Sequence, residues 1–183
     1  MQRSPWKTKS SREVYKNRWI RVREDEVIRP DGNPGIYGVI EIRPSVGVVA
    51  IDGEDRIVLV GQWRYSVDRY SLEIPRGGSH PHETDMLEVA KRELLEETGV
   101  TAHNWRRLGA ADVCNGVAND VQTFFLATEL SCHSELDLDP EEDITVTWKP
   151  FKEAVQMVLD NRITEVCSAA AILQVACLRA NGK

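Results

Sequence analysis

The sequence predicts an α/β fold, an α/β/α sandwich with a mixed sheet, preceded by an N-terminal β-hairpin. Three observations support this prediction. Apolar β-branched runs separated by turn residues lie before and after one central helical segment, residues 85–98. Two further helical segments, residues 151–160 and 164–180, close the chain. Strands on both sides of a helix, with helices at the end, favour helices on both faces of a mixed sheet.

The N-terminal region predicts a hairpin with its own boundary at Pro44. Residues 1–16 show no periodicity and are expected to be irregular. Apolar and charged residues alternate from Trp19 to Ile28, as in a half-exposed strand. The turn cluster RPDGNPG follows, and residues 36–42 form the returning strand. The predicted organisation is an extension over residues 1–43 and a main domain over residues 44–183.

The main domain continues with short strands up to the central helix. Residues 46–52 and 56–63 predict a second hairpin, and residues 70–75 a strand that ends at Pro75. Asp85 is a suitable N-cap with Glu88 three residues later, and Gly99 suits the position after the helix. The remaining predicted elements are strands at 105–113, 121–130 and 144–149, an acidic loop at 135–143, and the two closing helices.

Composition and charge exclude several classes of protein. The chain has 183 residues, 42% of them hydrophobic and 28% charged, as in ordinary globular domains. No apolar run is long enough to span a bilayer, so no membrane partner is expected. Residues 1–23 hold eight Lys or Arg and one acid, but the net charge of −6 argues against nucleic acid as a partner.

The four cysteines indicate a reducing compartment. Cys114, Cys132, Cys167 and Cys177 show no CxxC spacing and no dense disulfide framework. No apolar export segment follows the N-terminus. A cytoplasmic location with reduced thiols is therefore predicted.

The helix sequence KRELLEETGV places three carboxylates close together. An α-helix advances about 100° per residue, so Glu93, Glu96 and Glu97 share one side. Met86, Val89 and Ala90 fall in the same sector, which puts the acids at the edge of the buried face. Half-buried carboxylates need compensating partners, and a hard divalent cation can compensate several at once. A solvated acidic face is the alternative explanation for such a run.

The loop before the helix adds the features of a phosphate site. PRGGSHPHE leads from a strand into the helix, and its glycines allow close backbone approach to a ligand. His80 and His82 in this loop could bind a transition metal, although solvated loop histidines are more common.

Residues 77–100 resemble the Nudix box, whose pattern is G-x5-E-x7-R-E-U-x-E-E-x-G-U with U aliphatic. The matching residues are Gly77, Glu83, Arg92, Glu93, Leu94, Glu96, Glu97, Gly99 and Val100. Eight residues instead of seven separate Glu83 from Arg92, which leaves the role of Glu83 open. The resemblance extends over nearly the whole chain to the ADP-ribose pyrophosphatase branch, through GQWRY, LEIPRGG, FFLA and ITVTWKPFKEA.

This resemblance implies a Nudix-type sandwich and a hydrolase that uses Mg²⁺, with Mn²⁺ as an alternative. The implied substrate is a small-molecule nucleoside diphosphate linked to another group, such as ADP-ribose or another nucleotide sugar. Its pyrophosphate bond would be cleaved by a metal-activated water. The family also implies a homodimer formed through the N-terminal extension. The alternative is a catalytically weak ligand sensor or regulatory module with the same fold.

The resemblance also implies a role for each site residue. The metal ligands would be Glu93, Glu97 and the backbone carbonyl of Arg76, with Glu96 as a further ligand or as the holder of the metal-bound water. Arg92 would orient the glutamates. Arg64 would contact the pyrophosphate and Glu73 the nucleoside. The general base would be Glu141 or Glu142, for which a merely solvated loop is the alternative.

The sequence does not determine which substrate is preferred. ADP-ribose hydrolases of this type carry a proline about sixteen residues after the box. Asn115 occupies the corresponding stretch, VCNGVAND, so a plain ADP-ribose specificity does not follow.

Overall fold

The computed structural model describes residues 3–132 and 143–182. These residues form ten strands and three α-helices. The elements are β1 (Lys7–Lys16), β2 (Ile20–Ile28), β3 (Pro34–Ile42), β4 (Ser45–Ala50), β5 (Arg56–Arg64), β6 (Arg69–Glu73), β7 (Arg76–Gly78), α1 (Met86–Thr98), β8 (Val100–Asp112), β9 (Val121–Cys132), β10 (Thr145–Pro150), α2 (Phe151–Leu159) and α3 (Val166–Ala180). None of these helices is long and apolar enough to cross a membrane.

Residues up to Arg43, together with Asp112–Val121, form a first compact unit. Its core element is a three-stranded antiparallel sheet in the order β1-β2-β3. The predicted hairpin corresponds to β2 and β3, but the prediction that residues 1–16 are irregular was wrong. All ten residues of β1 are exposed, so no alternation between a buried and an exposed face marks this strand in the sequence.

The second compact unit holds the remaining residues and contains two sheets. The first sheet has the order β7-β4-β9-β8, with β4 parallel to β9 and antiparallel to β7. The second is antiparallel in the order β10-β5-β6. All six residues of β4 are buried, because this strand lies inside the sheet and both of its faces are covered.

Helices cover both faces of the mixed sheet, and the predicted sandwich is confirmed. Helix α1 packs on β4 and β7, while α3 packs on β4 and against α2. One core cluster joins Val46 and Val48 of β4 to Val89 and Leu94 of α1. Burial of this apolar stripe fixes the face that α1 turns towards the sheet, and with it the direction of the neighbouring carboxylates.

Candidate active site

The site begins where β7 runs along β4 and the chain then enters α1. Gly77 pairs with Val46, and Gly78 pairs with Ser45. Asp85 caps the helix as predicted, since its side chain accepts a hydrogen bond from the Leu87 N–H at 2.9 Å. Glu88 instead pairs with Lys91 at 2.7 Å on the exposed side of the helix.

The helix ends as its sequence predicts. Gly99 adopts a left-handed conformation with φ of 67°, and its N–H donates to the Leu95 carbonyl. Glycine has no Cβ penalty in this region, which explains its use at this position. The helix therefore has well-defined limits on both sides of its three carboxylates.

Two of the three carboxylates are buried beside the strand β7. Glu93 and Glu97 are each 8% exposed, while Glu96 lies half-buried. The Arg76 N–H donates to Glu97 Oε2 at 2.9 Å. A Cβ added at Gly77 would lie 2.2–2.3 Å from the carboxyl atoms of Glu93. The missing side chain at Gly77 therefore makes room for the Glu93 carboxylate.

Arg92 connects the acidic residues of α1 to the loop before it. Its Nη1 donates to Glu93 Oε1 at 2.9 Å and to Glu96 Oε2 at 2.8 Å. Its Nη2 donates to the Gly78 carbonyl at 3.2 Å. Burial lowers the pKa of the Arg92 guanidinium, but the hydrogen bond to Glu83 and the charges of Glu93 and Glu96 outweigh it and raise the pKa overall. Arg92 thus stays charged and offsets the repulsion among the acids.

Glu83 is a partner of Arg92. Its two carboxylate oxygens accept hydrogen bonds from Arg92 Nε at 3.0 Å and Nη2 at 3.1 Å. Glu83 also accepts a hydrogen bond from the His80 N–H at 2.6 Å. The hydrogen bond from Arg92 is the main reason that the pKa of Glu83 lies below its ordinary value. Glu83 therefore links the loop before α1 to the helix through its hydrogen bonds with Arg92.

A second group of charged residues lies around a cavity of about 230 Å³. Arg64 donates to both oxygens of Glu73, from Nε at 2.8 Å and from Nη2 at 2.6 Å. The Glu73 side chain is 3% exposed and the Arg64 side chain 37% exposed. Burial raises the pKa of Glu73, but the hydrogen bonds and charge of Arg64 outweigh it, so the net shift is downward.

The two residues expected to contact substrate are therefore paired with each other across the strands β5 and β6. A bidentate guanidinium–carboxylate pair fixes the plane of the arginine as well as its position. Glu141 and Glu142, the candidate general bases, lie outside the described residues.

Sequence reasoning did not identify Glu165. This residue caps α3, and its Oε1 lies 3.2 Å from Arg76 Nη1. Glutamate is not among the residues preferred at the N-cap position, so its capping role has no clear signal in the sequence. Its contact with Arg76 could not have been predicted either, because the two residues are far apart in the sequence.

The chemistry of these residues fits a hard divalent cation. Within residues 3–132 and 143–182, no three His, Cys, Asp or Glu side chains form a group ready to hold a metal. Two buried carboxylates, however, lie against the strand β7. Glu97 accepts a hydrogen bond from the Arg76 N–H, and Glu93 lies in the space that a side chain at Gly77 would fill. The N–H and C=O of a strand residue face the same edge, so the Arg76 carbonyl is turned to the side of Glu97. Mg²⁺ uses few protein oxygens and completes its coordination with water and substrate.

Comparisons with known proteins agree with this fold. A family model described as the NUDIX domain matches residues 41–166, and one described as the nucleoside diphosphate sugar hydrolase N-terminal domain matches residues 6–40. The chain therefore belongs to the Nudix family. It is a pyrophosphohydrolase of the ADP-ribose pyrophosphatase-like branch.

Relatives in two bacteria support the assignment to this branch. The ADP-ribose pyrophosphatase of Mycobacterium tuberculosis (strain ATCC 25618 / H37Rv) is 32% identical over 176 residues, which cover 93% of this chain and 83% of that protein. The ADP-ribose pyrophosphatase of Bacillus subtilis (strain 168) is 30% identical over 171 residues, covering 91% and 90%. A crystal structure of an ADP compounds hydrolase shares the fold with a TM-score of 0.85, at 20% identity, covering 100% of this chain and 98% of that one.

Proposed function

We propose that this enzyme hydrolyses the pyrophosphate bond of a nucleoside diphosphate joined to a sugar, with ADP-ribose as the first candidate, and that it depends on Mg²⁺. The observation that carries the proposal is the pair of buried carboxylates, Glu93 and Glu97, held against Arg76 and Gly77. Buried acids at a strand edge carry a desolvation cost that a divalent ion and phosphate oxygens can offset together.

The proposed roles of the residues follow from their contacts. Glu93, Glu97 and the Arg76 carbonyl hold the ion, with Glu96 as a further ligand or as the group that orients a water. Arg92 keeps Glu93 and Glu96 in place through its Nη1. When bound, the ion neutralises charge on the phosphate groups and makes a water easier to deprotonate. Mn²⁺ has similar ligand preferences and is the alternative metal.

The substrate is proposed to lie against Arg64 and Glu73. Arg64 is anchored by both oxygens of Glu73, so its guanidinium is oriented in advance for a phosphate oxygen. Preorganised cationic groups are effective at stabilising charge on transferring phosphates. For proton abstraction we keep Glu141 and Glu142 as the candidate general bases.

A substrate panel tests this proposal. The protein is incubated with Mg²⁺ and ADP-ribose, other nucleotide sugars and dinucleoside diphosphates, and released monophosphates are converted to inorganic phosphate by a phosphatase. We expect turnover of at least one panel member, loss of turnover with EDTA, and recovery with added Mg²⁺. Tight binding of panel members without any turnover would instead support the sensor alternative and contradict the proposal.

We also propose that the N-terminal extension, residues 1–43, pairs two copies of the chain. The strand β1 is exposed along its whole length, and Val14, Tyr15 and Ile36 are exposed apolar residues of this unit. We take these exposed apolar side chains as the candidate contact between the two copies. The cytoplasmic location stays a prediction, which cell fractionation tests.

Light scattering tests the dimer. Ile36 is 68% exposed, so a charge at this position disrupts an interface without disturbing a core. We expect the wild type at about twice 20.7 kDa and Ile36→Glu near 20.7 kDa. Leu159→Glu is the matched control, because Leu159 is 62% exposed at the end of α2. A dimer that persists in Ile36→Glu argues against this contact.

A further inference from the structure

The N-terminus of α3 is hydrogen-bonded to the strand segment that leads into the candidate metal site. Glu165 accepts hydrogen bonds from the Cys167 N–H at 3.0 Å and from the Ser168 N–H at 2.7 Å. The Ser168 hydroxyl donates to Glu165 Oε2 at 2.7 Å and accepts from the Ile74 N–H at 3.0 Å. Ser168 is fully buried, so these bonds are shielded from water.

Arg76 extends this contact by an ion pair. Its Nη1 lies 3.2 Å from Glu165 Oε1 and 3.5 Å from Glu73 Oε2. The side chains are 23% exposed for Arg76, 14% for Glu165 and 3% for Glu73. With Arg64 included, two cations face two anions in a partly buried group. Removal of one member leaves an incompletely compensated charge, so each member holds the others in place.

The main chain of Arg76 faces a different direction from its side chain. Arg76 pairs with Gly47 and Gly77 with Val46, so the Arg76 side chain lies on the face of the sheet opposite to the one where a Cβ at Gly77 would lie. The Arg76 guanidinium meets the α3 cap, whereas its N–H meets Glu97 of α1 at 2.9 Å. One residue thus connects the cap of α3 to a carboxylate of α1.

We propose that Arg76 and Glu165 form a positioning pair for the metal site. The pair fixes the peptide of Arg76, so that its N–H holds the Glu97 carboxylate and its carbonyl keeps facing the same edge. This role belongs to the Arg76 side chain and to Glu165, whereas the Nudix resemblance concerns only the Arg76 carbonyl. The inference rests on the proposed function, because it assumes that Glu93 and Glu97 bind the metal.

Metal affinity tests the pair independently of hydrolysis. Free Mn²⁺ is measured by electron paramagnetic resonance during titration of each full-length variant, which gives a Kd. Groups that orient metal ligands are worth about 10- to 100-fold in metal affinity, so we expect Arg76→Gln to weaken Mn²⁺ binding by about 10-fold or more. Arg76→Lys keeps the charge and should restore part of the affinity.

The Glu165→Ser variant distinguishes the effect of the ion pair from the effect of the helix cap. Serine is a good N-cap but is too short to reach Arg76, so α3 keeps its cap while the ion pair is lost. We expect the same loss of Mn²⁺ affinity as in Arg76→Gln, and little further loss in the double variant. The Mg²⁺ concentration for half-maximal rate should rise in parallel.

Arg56→Gln is the matched control. Arg56 also pairs with two acids, Asp52 and Glu54, but it lies at the opposite end of β5 from Arg64. We expect its Mn²⁺ affinity to equal that of the wild type. A lower Tm with unchanged Kd in both Arg76→Gln and Glu165→Ser means that the pair only stabilises the fold, and overturns the inference.

The same measurements separate the inference from the proposed function. If the wild type hydrolyses a panel member and both variants bind Mn²⁺ as tightly as the wild type, the positioning role of the pair is contradicted. The proposed function is then unaffected. Weaker Mn²⁺ binding in both variants, in a protein that hydrolyses no panel member, supports the pair and contradicts the proposed function. If the wild type binds no Mn²⁺, the proposal that Arg76 and Glu165 position a metal site is contradicted.

Discussion

A Glu97→Gln variant is expected to lose more than about 100-fold in kcat at saturating Mg²⁺. Groups that only orient a metal ligand are worth about 10- to 100-fold, so replacing a ligand itself should cost more. Glutamine has about the same size as glutamate and keeps an oxygen that can accept a hydrogen bond from the Arg76 N–H. In the wild type this N–H donates to Glu97 Oε2 at 2.9 Å. The fold should therefore persist while the charge is lost. Steady-state kinetics with a substrate from the panel measures the change, and thermal unfolding checks the fold.

Glu88→Gln is the control for this substitution. Glu88 lies on the same helix, is exposed, and pairs with Lys91 outside the site. The control removes one negative charge from α1 without touching the buried carboxylates, so its kcat should stay near that of the wild type. A Glu97→Gln enzyme as fast as the wild type would remove Glu97 from the metal ligands.

A Gly77→Ala variant is expected to lose about 100-fold in kcat with little loss of stability. The new Cβ would lie 2.2–2.3 Å from the Glu93 carboxyl atoms, well inside contact distance. Gly77 is not among the glycines with positive φ, so alanine causes no backbone strain there. The atoms that it meets are at the flexible end of a side chain, so the carboxylate moves aside and the fold adjusts. A displacement near 1 Å at a catalytic group can cost about 100-fold.

Gly78→Ala is the matched control, because a Cβ at Gly78 meets nothing within 4 Å. The two variants change neighbouring glycines by the same methyl group on opposite faces of β7. We expect kcat to fall in Gly77→Ala and to stay unchanged in Gly78→Ala, with similar Tm values. Equal rates for Gly77→Ala and the wild type would show that Glu93 need not occupy its present position.

The sequence predicted the elements whose residues are buried on one side or both. The helix α1 and the strands β4 and β5 have strong apolar patterns, because burial in the core requires them. The strand β1 was missed because all of its residues are exposed, and β7 because it contains only Arg76–Gly78. Pairing with neighbouring strands, which local sequence does not show, stabilises both of these elements.

For the site, the sequence predicted the acids and Arg92, their partner on the same helix, but not the pairs that join different elements. The spacing on α1 placed Glu93 and Glu97 beside apolar residues, and both are buried. The pairing of Arg64 with Glu73 and of Arg76 with Glu165 depends on how strands and helices meet in space. Such contacts between distant residues are set by tertiary packing, and no local spacing rule contains them.

The bond between Glu83 and Arg92 has a consequence for recognising further members of the family from sequence. Glu83 reaches Arg92 across a loop of eight intervening residues, where the usual pattern has seven. A guanidinium on a long flexible side chain can meet a carboxylate from either loop length. A search pattern with a fixed gap would therefore overlook chains like this one, whereas a gap of seven or eight residues would retain them.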